Sequence, residues 1–278
     1  VNRFVKLLNW EINRFAKLFA VLCLITLLSQ FIGLFLYVRQ FMNQVKEVLQ
    51  FNAMTMSEYL AHHYQPAVFL NYSQTLWFYG PIGLGVTTLL LYVFLIWYRE
   101  WVGKGAFIYR LLMLPTARMN VYLAKVSAIL LFVLGLVTFQ ALILIPEIHW
   151  FNAMIPSGLR NKMSLDLIEI QPSLLSLLIP RYLVQLFLDY GAGLMFVVVI
   201  FTAILLERSF RLKGIVAGVL YGILAGFVFL LPVLISTTWY PNYFYPSEIV
   251  KMEIIAGILI TSSSLWISSY LLTKRVAL

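Results

Sequence analysis

Residues 126–146 read VSAILLFVLGLVTFQALILIP, with Lys125 on one side and Glu147 on the other. No charge interrupts the run. A helix needs about 20 apolar residues to cross ~30 Å of hydrocarbon. The run is continuous rather than alternating, so it reads as a helix and not as a barrel strand. Equivalent runs recur at 18–38, 76–98, 214–236 and 254–273, and at 182–206 with Asp189 near its start. The pattern predicts an all-α integral membrane protein of six transmembrane helices, forming a single domain over 1–278 with no separable soluble part.

Composition agrees. The 278 residues are 62% hydrophobic and 11% charged, against about 45–50% and 25% for a soluble globular domain. Lipid as solvent accounts for the excess. The first run exceeds a signal-peptide core, and no small-x-small cleavage site follows it, so it is read as a span. The lone Cys23 permits no disulfide within the chain. His62 and His63 fall in a solvated loop, and with His149 they make no zinc-ligand cluster.

The net charge of +9 is distributed as a membrane protein's orientation signal, which excludes nucleic acid as a partner. With the N-terminus inside, the inside segments carry Arg3, Lys6, Arg14 and Lys17, then Arg99, Lys104, Arg110, Arg118 and Lys125. Arg208, Arg211 and Lys213 follow, then Lys274 and Arg275. The longer outside segments hold only six Lys or Arg residues. Both termini are therefore expected in the cytoplasm.

Residues 1–17 read as a two-faced helix in the membrane interface. Asn2, Lys6, Asn9, Asn13 and Lys17 mark its polar side, and Phe4, Leu8, Ile12, Phe15 and Phe19 its apolar side. Phe41, Val45, Val48 and Leu49 predict that span one continues outward as an amphipathic helix. The aromatic segment 239–246 belongs at headgroup level, as an interfacial loop or a short dip into the leaflet.

Sites of chemistry are few. There is no GxxxxGK[ST] phosphate loop, so the chain binds no nucleotide cofactor of its own. The inside acids Glu11, Glu100 and Glu207 look isolated, and paired polar groups within the spans are not apparent, which argues against a membrane enzyme. Asp189 is the main charge within a span and a candidate intramembrane polar site, although its place near Arg181 also suits a solvated helix start. Gly214, Gly218, Gly222 and Gly226 form one smooth stripe for close helix packing, within the chain or between subunits. Hydroxyls at 261–264, 268 and 269 are expected to bond helix carbonyls or neighbouring helices.

The segment between spans two and three carries the sharpest signal. Residues 104–114 form a short amphipathic helix that Pro115 ends. The result is a basic elbow with exposed apolar residues, suited to docking a soluble partner. It resembles the permease subunits of ABC transporters of the ABC-2 type. There an acidic residue closes span two, a coupling helix follows, and then come a Leu-Leu-x-x-Pro-x-x-Arg run and a Lys at the foot of span three. The matching residues are Glu100, Leu111, Leu112, Met113, Leu114, Pro115, Arg118 and Lys125. The outside segment 147–181 departs from the pattern by its length.

The resemblance implies a multi-pass subunit of a bacterial cytoplasmic membrane, paired with a second copy or paralogue and docked to a separate ATPase that binds ATP and Mg. Arg99, Glu100, Lys104, Phe107, Arg110, Leu111, Leu114, Pro115 and Arg118 would couple to that ATPase. The glycine stripe would be a candidate dimer interface. An amphipathic or hydrophobic substrate would be exported. The competing readings are a secondary transporter, which predicts charges near the midplane and broken spans, and a membrane assembly factor or sensor partner without an ATPase.

Overall fold

The computed structural model describes residues 2–62, 66–102, 117–160, 182–241 and 243–275. Helices α1 (Asn2–Phe51), α2 (Met56–His62), α3 (Phe69–Ser73), α4 (Leu76–Val102) and α5 (Arg118–Met154) come first in chain order. They are followed by α6 (Leu183–Phe210), α7 (Leu212–Leu234), a π-helical turn (Ile235–Trp239) and α8 (Pro246–Lys274). Among the described residues six helices, α1 and α4 to α8, are long and apolar enough to cross a membrane. No strand occurs among the described residues; one isolated parallel bridge joins Ala67 and Arg160.

The apolar runs underestimate two helices. α1 has 50 residues, roughly 75 Å at about 1.5 Å per residue, more than twice the hydrocarbon thickness. No break separates the expected interfacial helix from span one. Lys6, Asn9, Asn13 and Lys17 are exposed, Phe15 is buried, and Phe4, Leu8, Ile12 and Phe19 are half-buried. α5 passes through Pro146 to Met154, although the apolar run ends at that proline. Proline removes one N–H bond but need not end a helix whose neighbours hold it, and α4 and α7 likewise contain Pro81 and Pro232.

The chain forms two compact units, and α1, α4 and α5 supply residues to both. One comprises 15–89 and 132–181. Its core packs Leu34, Val38 and Val45 of α1 with Tyr59, Phe69, Tyr72 and Phe78, and with Leu144 and Phe151 of α5. Phe41, Val48 and Leu49 pack against it, as expected for a helical continuation of span one. A capping box starts α2, since Thr55 N–H donates to Glu58 Oε2 at 2.7 Å and Glu58 N–H to Thr55 Oγ1 at 3.4 Å. The Thr55 N–H and the Thr55 hydroxyl, the latter 3.0 Å from Oε2, hold the exposed Glu58 carboxyl below its ordinary range.

Paired polar groups do occur within the spans, contrary to expectation. Gln30 and Gln140 exchange side-chain amide bonds at 3.2 and 3.3 Å between α1 and α5. Linear sequence hides them, because they lie 110 residues apart. Such bonds join helices where no hydrophobic drive exists between them.

The other unit comprises 1–14, 90–131 and 182–278. Here α6, α7 and α8 share a small apolar core of Met195, Val199, Ala225 and Ile260. Thr202 Oγ1 lies 2.9 Å from Ser268 Oγ, and Tyr221 OH 2.5 Å from Ser264 Oγ. Thr261 and Thr273 instead bond the carbonyls of Gly257 and Ser269. The span-six hydroxyls thus serve both expected uses. Only Arg211, at φ 53°, separates α6 from α7. The short link brings their backbones together, and Gly214 and Gly218 are where they touch.

Candidate functional site

The last turn of α4 binds a different helix through almost every residue. Tyr98 donates a hydrogen bond to the Glu207 carboxylate of α6. Arg99 Nη2 lies 3.5 Å from Glu11 Oε2 of α1. Glu100 Oε1 lies 2.8 Å from Lys125 Nζ of α5 and 3.2 Å from Arg14 Nη1 of α1. Trp101 lies beneath the Arg208 guanidinium of α6, 5.3 Å from the ring centroid. Residues 103–116, the expected elbow, lie outside the described residues and begin two positions later in sequence, so this turn is the root of that segment.

Lys125 is the centre of the cluster. Its Nζ is 2.6 Å from Glu11 Oε1 and donates to Ile96 O at 3.0 Å. The side chains of Lys125 and Glu100 have zero exposure. Beneath them Trp97, Tyr122 and Phe201, all fully buried, pack with ring centroids 5.5–6.3 Å apart. A single buried carboxylate or ammonium would be costly there, whereas alternating charges with hydrogen bonds are tolerated. Glu11 and Glu100 are therefore not isolated, contrary to expectation. Sequence reasoning missed Glu11 because its partners lie 88 and 114 residues away. The available signal was its position one helical turn before Phe15, on the apolar rather than the Asn9–Asn13 side.

This geometry sorts the expected coupling residues. Glu100 is consumed by intrachain pairs. Arg99 faces Glu11 while one third exposed, and Arg118 donates to Leu272 O of α8 at 2.6 Å. Lys104, Phe107, Arg110, Leu111, Leu114 and Pro115 lie outside the described residues. The glycine stripe also divides. A Cβ on Gly214 would lie 2.1 Å from Leu206 O, and one on Gly218 2.9 Å from Ala203 O, whereas Gly222 and Gly226 face open space. Only the first half of the stripe is intrachain packing.

Asp189 lies in the second turn of α6 and is partly buried, with no hydrogen-bond partner for Oδ2 among the described residues. Its expected neighbour Arg181 lies outside the described residues. Sequence reasoning did not single out Glu147, which has zero exposure and, among the described residues, no hydrogen-bond partner for either oxygen. It lies near Tyr72. Burial, and secondarily the Glu147 carboxylate, push the Tyr72 hydroxyl above its ordinary range, so the phenol remains a donor, to Gln30 O at 2.5 Å. An unpartnered buried polar group costs about 1–3 kcal/mol in mutational data. Glu147→Met, which keeps the length and removes the carboxyl, is expected to raise the thermal unfolding midpoint in detergent. A lowered midpoint would mean that the carboxyl is satisfied after all.

Among the described residues no three His, Cys, Asp or Glu side chains gather as metal ligands do. Comparison with known proteins finds no matching family model, no matching curated protein and no matching solved structure.

Proposed function

We propose that this chain is the transmembrane subunit of an ATP-driven transporter of ABC-2 type, which exports an amphipathic or hydrophobic substrate from a bacterial cytoplasm. Both termini are cytoplasmic. ATP and Mg bind on a separate ATPase that docks at the elbow, and the permease works as a pair of identical or related chains. The anchored root of the elbow carries this reading. A segment that receives force from a soluble partner must be tied firmly to the spans, and Tyr98, Arg99, Glu100 and Trp101 tie it to three other helices. The lysine and arginine distribution supports the orientation. Gly222 and Gly226, open along α7, are the part of the stripe left for a second subunit.

Purification from native membranes in mild detergent tests the reading. A soluble ATPase bearing GxxxxGK[ST] should accompany the wild-type protein and be lost with Arg110→Glu. Charge reversal at Glu100 is the poorer probe, because it would break the buried cluster as well. A chain that emerges alone, and binds no added candidate ATPase, would favour the secondary-transporter or assembly-factor reading.

A further inference from the structure

Residues 2–14 of α1 hold both roots of the elbow at once, through a single carboxylate. Glu11 divides its two oxygens, Oε1 to Lys125 on α5 at 2.6 Å and Oε2 to Arg99 on α4 at 3.5 Å. Arg14, one turn later, adds a second grip on Glu100 and stacks over Trp10 at 4.0 Å. We infer that Glu11 is a positioning residue for coupling, a staple that fixes the two roots of the elbow to the N-terminal helix so that the three move as one body. This inference rests on the permease reading above.

The physical basis is that the roots cannot separate while Glu11 keeps both partners. Glu11 is 2% exposed, so no water stands ready to replace a lost one. Ion pairs in such a setting are kept or broken as a unit, which makes the packed arrangement discrete rather than continuously deformable. Lys6, Asn9 and Asn13 on the opposite side remain exposed and take no part.

The test uses the complex with its co-purified ATPase, reconstituted in vesicles of the native lipid. ATP hydrolysis, the amount of ATPase recovered and the melting temperature are measured for Glu11→Gln, Arg99→Gln, Arg99→Lys and the outer-face control Lys6→Gln. Glu11→Gln and Arg99→Gln should recover the wild-type amount of ATPase yet lose roughly 5- to 150-fold in hydrolysis, the usual range of a coupling effect. Arg99→Lys should regain much of the rate, and Lys6→Gln should match wild type. If Glu11→Gln does not fold, Arg99→Gln decides, because it leaves the Glu11–Lys125 pair in place. Wild-type hydrolysis in the folded variants overturns the inference and leaves the permease reading intact. A parallel fall in melting temperature and recovered ATPase assigns Glu11 to folding alone, and also overturns it. Absence of any ATPase from the wild-type preparation overturns the permease reading, and the inference falls with it.

Discussion

Lys125→Met is expected to destabilise the protein by about 3–5 kcal/mol, the range for breaking a buried ion pair by removing one partner. The ammonium is fully buried and bridges Glu11 and Glu100 at 2.6 and 2.8 Å. Its removal leaves two carboxylates close together, with Arg14 and Arg99 reaching them only from the part-exposed rim. Thermal unfolding in detergent, followed by tryptophan fluorescence, measures the loss. The control is Lys125→Met combined with Glu11→Gln and Glu100→Gln. Neutralising the whole buried set should recover most of the stability, because well-packed neutral groups often match a buried ionic network. If the single substitution is harmless, water reaches the cluster and the burial described above is wrong.

The second large effect concerns the glycines of α7. A Cβ at position 214 would meet Leu206 O at 2.1 Å and Glu207 Cα at 2.7 Å. Both are backbone atoms, so no side-chain rotation relieves the overlap and α6 must be pushed away. Gly214→Ala should cost about 3 kcal/mol, at the upper end for overpacking. Gly218→Ala, with Ala203 O at 2.9 Å, should cost about 1–2 kcal/mol. Gly222→Ala and Gly226→Ala meet nothing within 4 Å inside the chain, so in the single chain they should be neutral or gain up to about 1 kcal/mol in helix propensity, any loss being confined to the paired form. Melting temperatures of the four variants separate the two halves of the stripe. A uniform effect along it would contradict the geometry.

Hydropathy made the six spans legible, because crossing lipid imposes a length and a composition on each helix. It registers only where lipid is, so it could not see α1 continuing to Phe51 or α5 continuing past Pro146. Amphipathic spacing recovered part of the α1 extension through Phe41, Val45, Val48 and Leu49. The polar interior was the least legible. Gln30 with Gln140, and Glu11 with Lys125, become partners only when distant helices pack. Nothing local in the sequence distinguishes Glu11 from a solvated acid except the helical face it occupies. Glycine spacing revealed close packing but could not divide the stripe, since every position in it looks alike until the neighbouring helix is placed. The elbow residues singled out for docking were read from a resemblance. The structure accounts for Arg99, Glu100 and Arg118 at its roots, through partners on other helices.

The buried cluster also has an order of construction. The chain is made from its N-terminus, so Glu11, Arg14, Arg99 and Glu100 all exist before Lys125 leaves the ribosome. Until then the two carboxylates lack the ammonium that makes their burial tolerable, and they remain in water. The separation of 114 positions between Glu11 and Lys125 therefore acts as a timer, and the N-terminal helix can lock down only once span three has begun. A nascent chain arrested before Lys125 should keep that helix open to protease, whereas one arrested after α5 is complete should protect it.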